Sequence, residues 1–403
     1  MGCKVVRIGD VATFRKESVK PEAGVIYYCY SFPAFDNACT PEVMDGSKIL
    51  SSKFRFVAGD ILVNKLNMRF KRIWPIGDQL APNSVCSTEF IPLTPNENVD
   101  RNFLLYVLLS DSFTRKLSGM RTGTSGSHQR VKVDWILDYE FMLPDFTTQR
   151  KIGEILATID AKIALNGRIN DYLEQLLLAR YDYLFSSKSA HNGTIADIGD
   201  VVGGATPSKK KPEYYCHDGI GWITPRDLSN TSDKFIAHGA DDITQAGFDS
   251  CSVKKLPAGT VLFSSRAPIG YIAIATDNVT TNQGFKSVVP HKEIGTAFVY
   301  CFLVRNKDRI ADAGSGTTFP EVSGKTMASA ELTLPDVNLC AEFEGYATPL
   351  LEQQRCLEEE SRQLGNLRDA LLPKLMSGEI DVSGVDATQL NNHLCDCSAL
   401  PFF

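Results

Sequence analysis

The sequence predicts an α+β protein: two globular α/β domains joined by two long antiparallel coiled-coil helices, pseudo-twofold through internal duplication. Three observations carry this. First, segments recur. Ile8-Gly9-Asp10-Val11 returns as Ile198-Gly199-Asp200-Val201, and Ala58-Gly59-Asp60-Ile61-Leu62 returns as Ala258-Gly259-Thr260-Val261-Leu262. Leu143-Pro144-Asp145 returns as Leu334-Pro335-Asp336. Second, the later matches share one offset. Adding 191 takes Gly123 to Gly314, Val131 to Val322, Glu140 to Glu331, Leu173 to Leu364 and Leu184 to Leu375. A constant register over so long a stretch marks one duplicated unit rather than a solenoid of short repeats. Third, each copy ends in an apolar stripe at helical spacing.

The elements follow in order. Residues 1–147 form the first domain and 148–187 a central long helix. Residues 188–338 form the second domain, 339–382 a C-terminal long helix packed on the central one, and 383–403 a tail. Short β-like runs (Phe56-Val57, Asp60–Val63, Val261–Phe263, Tyr271–Ile274) are punctuated by Gly and Pro. Short helices are expected near 102–117 and 296–310. The first long helix reads Ile152, Ile155, Ile159, Ile163, Ile169, Leu173, Leu176; the second reads Phe343, Tyr346, Leu350, Leu357, Leu364, Leu367, Leu371. These are heptad-like positions. Thr147 or Thr148 is expected to cap the first helix and Asn338 the second. Gly167 costs the first about 1 kcal/mol relative to Ala, and Pro349 should kink the second or mark its start. At ~1.5 Å per residue, residues 152–184 would span roughly 50 Å. An antiparallel pair is preferred because both stripes are then buried together.

Composition narrows the class. A chain of 403 residues, 43% hydrophobic and 22% charged, can bury two or more cores. No run of ~18 apolar residues predicts a membrane span, and the first residues carry no signal-peptide pattern. Eleven scattered cysteines without a CxxC suggest reduced thiols and a cytoplasmic setting. The net charge of −6 argues against a uniformly basic nucleic-acid coat. The 340–386 segment alone carries that −6, so the remainder is neutral and any DNA-binding face is local.

Catalytic motifs are missing from the sequence. It contains no HExxH, no GxSxG, and no GxGxxG opening a helix. Lys325-Thr326 follow Gly324 as in a phosphate-binding loop, but Phe319 stands where the first glycine is required. His393, Cys395 and Cys397 crowd the tail and are read as incidental rather than as a metal site. The chain is expected to be non-catalytic, with no cofactor of its own.

Several segments resemble the specificity subunit of type I restriction–modification systems. One is Leu367-Arg368-Asp369-Ala370-Leu371-Leu372-Pro373-Lys374-Leu375-Met376-Ser377-Gly378-Glu379-Ile380. Another is Gly203-Gly204-Ala205-Thr206-Pro207-Ser208, followed by Tyr214 and by Trp222-Ile223-Thr224-Pro225-Arg226-Asp227-Leu228. The runs 262–270 and 281–285, and Gln149-Arg150-Lys151-Ile152 after Leu-Pro-Asp, fit as well. The resemblance spans Val5 to Val382 and is more specific in the second half. It implies two target-recognition domains that read a bipartite, asymmetric double-stranded DNA target, one half-site each. It implies partners: two modification subunits that bind S-adenosylmethionine and methylate adenine, and restriction subunits that use ATP and Mg. It also implies no active site in this chain. The competing reading is a non-DNA coiled-coil scaffold with two protein-binding heads.

Bases are read by Arg, Lys, Asn, Gln and hydroxyl side chains, while phosphates take most basic contacts. In the first domain the candidates are Lys65, Asn67, Arg69, Lys71, Arg72, Ser127, Gln129 and Arg130. In the second they are Lys209, Lys210, Arg226, Ser264, Arg266, Gln283, Lys286, Thr317 and Thr318. Any one of them is more ordinarily a solvated loop residue. Asp10, Asp60 and Asp200 are read as turn or capping residues, and Trp222 as core.

Overall fold

The computed structural model describes residues 4–120, 129–185, 192–231, 233–266, 268–315 and 320–385. The chain divides into two compact units, 1–163 with 363–403, and 164–362. Each long helix gives one part of its length to each unit.

In the first unit, strands Ala12–Phe14, Phe90–Pro95, Ile61–Asn64 and Ile73–Pro75 form an antiparallel sheet in that order. Its inner face carries Ile61, Val63, Ile91 and Leu93 against Phe103, Leu104, Leu108, Phe113 and Leu117. The helix expected near 102–117 is two helices, Arg101–Leu109 and Asp111–Gly119. Ser110 separates them: its backbone is extended and its hydroxyl accepts from the Phe113 amide, which ends one helix and caps the next. A second sheet runs Ser18–Val19, Lys53–Arg55, Ser84–Ser87, Ile26–Tyr30, Glu42–Asp45. Phe56-Val57, read as strand, lies just past Lys53–Arg55. Phe56 is instead buried in an aromatic cluster with Tyr30, Trp74 and Phe90.

The second unit repeats the plan. Gly199–Gly203, Lys286–Pro290, Val261–Ser265 and Ile269–Ala275 pair in the same order, and Phe235–Ile236 adds a parallel edge. A single helix, Thr296–Asp312, covers the sheet with Phe298, Val299, Phe302 and Leu303 buried. Equivalent antiparallel clips close the globular part of each unit. Lys4–Arg7 pairs with Glu140–Leu143, and Asn192–Thr194 pairs with Glu331–Thr333.

The long helices run Phe146–Phe185 and Val337–Ser377. Their caps are not the predicted ones. Asp145 accepts from the amide and hydroxyl of Thr148 at 3.0 and 2.8 Å. Asp336 accepts from the Asn338 amide at 2.7 Å. The recurring Leu-Pro-Asp tripeptide is thus the start signal, because a carboxylate suits both the orphan amides and the helix dipole. Gly167 and Pro349 interrupt neither helix. Both residues are exposed, so the carbonyl that Pro349 leaves unpaired can be hydrated.

Within each unit the helix segments pack antiparallel. In the first, Asp160 accepts from Arg368 at 2.7 Å and from the Tyr106 hydroxyl at 2.6 Å, while Lys151 reaches the Ser383 carbonyl. In the second, Arg180 bonds Glu342, Gln354 bonds Asn170, and Asn166 bonds Glu360. The buried seam differs from the predicted stripe. It passes through Leu173, Leu177 and Tyr181, so Leu176 faces outward at 52% exposure. It also turns polar at Lys162, Asn166 and Gln354, all buried. A polar seam position in a coiled coil fixes register at some cost in stability.

In the second unit an ionic cluster ties the recognition sheet to its helices. Lys234, 9% exposed, places its ammonium on the Glu174 carboxylate, on Gln354 Oε1 at 2.7 Å and over the Tyr300 ring. Tyr300 in turn donates to Glu174. Glu358 accepts from the amides of Lys234 and Phe235, at the start of the edge strand. Burial pushes the Glu358 carboxyl up to about 7, against the pull of those two amides and of the Lys234 charge, with Asp233 adding to the rise. A carboxyl raised in the folded state contributes stability that is complete below its unfolded value near 4.5 and is lost as pH rises through about 7. Scanning calorimetry should therefore show this unit's Tm rising between pH 8 and pH 6. Glu358→Gln should flatten that rise; an unchanged slope would place its origin elsewhere.

Candidate nucleic-acid interface

Each unit builds one loop platform at the end of an inner strand of its main sheet, and both use a buried polar side chain and matching backbone bonds. In the first unit the strand ends at Asn64, opposite Phe90. The buried Asn64 amide donates to the carbonyls of Leu66 and Phe70, both at 3.0 Å, and so staples the following loop. In the second unit Ser264 stands opposite Phe285. Its buried hydroxyl donates to Pro268 and accepts from the Tyr271 amide. The next residue is also held alike. Lys65 N donates to Glu89 and its carbonyl receives Val131 N; Ser265 N donates to Gly284 and its carbonyl receives Val322 N. Val131 and Val322 are separated by the 191-residue offset.

On this common frame the exposed chemistry differs. In the first unit Arg130 forms a two-pronged bond to Glu89, which holds the guanidinium pKa above its ordinary value. Its counterpart in the second unit is Glu321, which faces Arg266 at 3.7 Å and Lys286 at 3.5 Å. The sign of the charge is inverted at one position of the repeat. Paired cations of this kind keep hydrogen-bonding capacity at the surface, because exposed ion pairs are weak and exchange readily with other anions.

The candidates of the first unit fall into two clusters. Lys65, Asn67, Gln129 and Arg130 come together where Leu66 bridges to Arg130 and the Asn67 amide donates to the Gln129 carbonyl. Asn67 adopts φ 53°, a left-handed conformation that Asn tolerates. Arg69 and Arg72 flank Phe70, which sequence reading passed over. Arg72 is fixed by two bonds to Asp36, which hold that carboxyl below its usual range. Lys71 reaches across to Asp111 at 2.5 Å and lowers its pKa in the same way. Ser127 lies outside the described residues.

In the second unit Lys209 and Lys210 are exposed beyond Pro207, and Arg226 is exposed on the short helix Pro225–Ser229. Among the described residues these three make no side-chain hydrogen bond or ion pair. Thr206 donates to Gln283, and Lys286 reaches the Gln283 carbonyl at 3.5 Å. Gly284 lies so close to Pro225 that an added Cβ would stand 2.9 Å from its ring. Gln283 therefore links the Thr206 segment to Lys286, while its neighbour Gly284 abuts the Arg226 helix. Ser264 corrects the sequence reading: at 0% exposure, its hydroxyl spent on the hairpin, it builds the platform and presents nothing. Thr317 and Thr318 lie outside the described residues. Asp60, buried, accepts from Val57 N and Thr94, a turn-holding role, and Trp222 is core at 4% exposure. Lys325 and Thr326 sit in a short helix capped by Ser323, whose hydroxyl takes the Thr326 amide.

What sequence reading missed here is the set of counter-charges, Glu89, Asp36, Asp111 and Glu321. They come from distant chain positions, and no local spacing announces them. Asp227 was missed as a joint: it caps its own helix through Thr224 and also receives the Ala240 amide. Among the described residues no group of three or more His, Cys, Asp or Glu side chains could hold a metal ion. No described helix is long and apolar enough to cross a membrane.

A duplicated α+β chain, each unit closed by a strand clip and carrying one polar loop platform on paired helices, is the class that fold and site define. The model of the type I restriction modification DNA specificity domain matches residues 2–175 and 189–338, and the chain belongs to that family. It is 40% identical over 172 residues to the type I restriction enzyme MjaIX specificity subunit of Methanocaldococcus jannaschii, an alignment covering 42% of this chain and 39% of that one. It is 24% identical to the HindI specificity subunit of Haemophilus influenzae, covering 80% of this chain and 86% of that one. The crystal structure of the type I restriction-modification system S subunit from M. genitalium shares the fold, with a TM-score of 0.57 at 16% identity, over 93% of this chain and 96% of that one.

Proposed function

We propose that this chain reads a bipartite, asymmetric double-stranded DNA target, one half-site per unit, as the specificity subunit of a type I restriction–modification complex. Its partners are two adenine-methylating modification subunits, joined by restriction subunits where the system cleaves. The chain itself is non-catalytic. S-adenosylmethionine, ATP and Mg are bound by the partner subunits, and the complex works in the cytoplasm.

The observation that carries this reading is the pair of loop platforms. The hydrogen-bond frame is repeated, whereas the polar side chains around it are not: Lys65, Asn67, Arg69 and Arg130 on one, Arg266, Gln283, Lys286 and Glu321 on the other. A duplicated frame with unlike polar surfaces suits two unlike half-sites. Direct readout depends on which donors and acceptors meet the base edges, and phosphate contacts fix the register.

The test is a genome-wide map of N6-methyladenine in a host carrying the modification subunits, with and without this gene. A gapped motif with unlike halves should appear only with the gene. Exchanging residues 1–147 for those of another specificity subunit should change one half of the motif and leave the other. A motif altered in both halves, or gene-independent methylation, would overturn the assignment of one half-site per unit.

A further inference from the structure

The geometry points to Phe70 as the residue with which the first unit packs on a nucleobase of its DNA half-site, an aromatic contact set among cations. This rests on the DNA-reading function proposed above and names a contact that the polar candidates do not supply.

Phe70 is 48% exposed, in a loop between two core strands. The backbone on both sides of it is pinned. The Phe70 amide donates to Asn67 at 2.9 Å, and its carbonyl receives both the Arg72 amide at 2.8 Å and the Asn64 side chain at 3.0 Å. Asn64 is wholly buried, so the staple is anchored in the sheet. The loop presents the ring by construction.

The ring also has cationic company. The Arg69 guanidinium lies 4.8 Å from its centroid and that of Arg72 lies 5.2 Å away. Arg72 is tethered by Asp36 and also contacts the Phe32 ring at 5.0 Å. Arg69 is exposed, and its described contact is this ring, so it is free to swing to a phosphate. An apolar π-surface beside a mobile cation and a fixed cation suits a ligand that joins flat aromatic groups to anions. Nucleobases on a phosphate backbone have that chemistry, and proteins use Phe both to stack on bases and to wedge between base steps. Among the described residues, the other exposed aromatics with a cationic neighbour, Tyr183 and Tyr346, share Arg180, and that guanidinium is bonded to Glu342 on an acidic helix. An anionic ligand is therefore favoured at Phe70 and disfavoured there.

The full chain, assembled with its modification subunits, is used to enrich a pool of random-sequence duplexes. Wild type, Phe70→Ala and Phe70→Trp are compared. Phe70→Ala should bind the wild-type winner roughly five- to a hundredfold more weakly, the range for loss of one base–aromatic contact. It should lose preference at one step of one half-site only. Phe70→Trp should keep that preference. 2-Aminopurine at the affected step should change fluorescence with wild type and Phe70→Trp but not with Phe70→Ala. Thermal unfolding of the three proteins should coincide, because the ring is outside the core. If Phe70→Ala enriches the same sequence with unchanged affinity, the ring touches no base and the inference falls. If wild type enriches no sequence, the DNA-reading function falls first and the inference with it.

Discussion

Replacing Lys234 with methionine is expected to lower the stability of the 164–362 unit by about 3 kcal/mol, the lower end for breaking a buried ion pair by removing one partner. The ammonium is held by Glu174 and Gln354 and covered by Tyr300. Methionine fills similar volume but leaves the Glu174 carboxylate facing an apolar neighbour. For a unit of this size the loss corresponds to a fall in Tm of roughly 6–12 °C. The double variant Lys234→Met with Glu174→Gln removes both charges and keeps an acceptor for the Tyr300 hydroxyl. It should regain at least half the loss. Calorimetry of the single and double variants measures this. If the double variant is as unstable as the single, the cost lies in packing rather than in an orphaned charge.

The second large effect is expected at Gly204. A Cβ there would stand 2.2 Å from the carbonyl oxygens of both Thr281 and Asn282, which belong to the backbone and cannot swing aside. Gly204→Ala must lift the segment that bonds Ala205 N to Thr281, Trp222 to the Ala205 carbonyl, and Thr206 to Gln283. Overpacking of this kind costs about 3 kcal/mol at its upper end. It should also erase sequence preference in one half of the methylated motif while the other half persists. Gly203→Ala is the control, since its added Cβ meets only the Lys286 chain at 3.9 Å. Loss of both halves in Gly204→Ala would mean that the whole chain had unfolded.

The duplication was the most legible part of the fold, because a constant offset survives where individual residues have drifted. Its matched positions fall in the strand clips at Glu140 and Glu331, beside the platforms at Val131 and Val322, and in the long helices at Leu173 and Leu364. The helix starts were misassigned by two or three residues: the sequence offers several good capping residues near each start, and only the structure shows that Asp145 and Asp336 are the ones whose side chains take the orphan amides. The seam was misread at Leu176 because apolar residues occur on two adjacent faces of the first long helix, and burial alone distinguishes Leu177 from its neighbour. Its polar centre could not be foreseen from apolar spacing. At the platforms, the basic residues were visible as a local cluster, but their partners were not. Glu89 lies 41 residues from Arg130, and Asp36 lies 36 residues from Arg72. Such pairings belong to the sheet, not to the sequence neighbourhood. Ser264 was taken for a reader because Ser-Ser-Arg looks polar and exposed, whereas the strand buries its first hydroxyl.

The strand clips have a consequence for how such genes change. Lys4 stands opposite Leu143, and Asn192 stands opposite Thr333. Paired strands hold those chain points about 5 Å apart. Everything between them departs from one spot and comes back to the same spot, as cargo on a hook does. Crossovers between related genes that fall at the hook deliver a complete cargo and leave the helix pairing uncut. A crossover inside the cargo would instead split a sheet between two ancestries. The Leu-Pro-Asp junction is thus a seam at which a whole globular part can be exchanged without redesigning the helices that carry it.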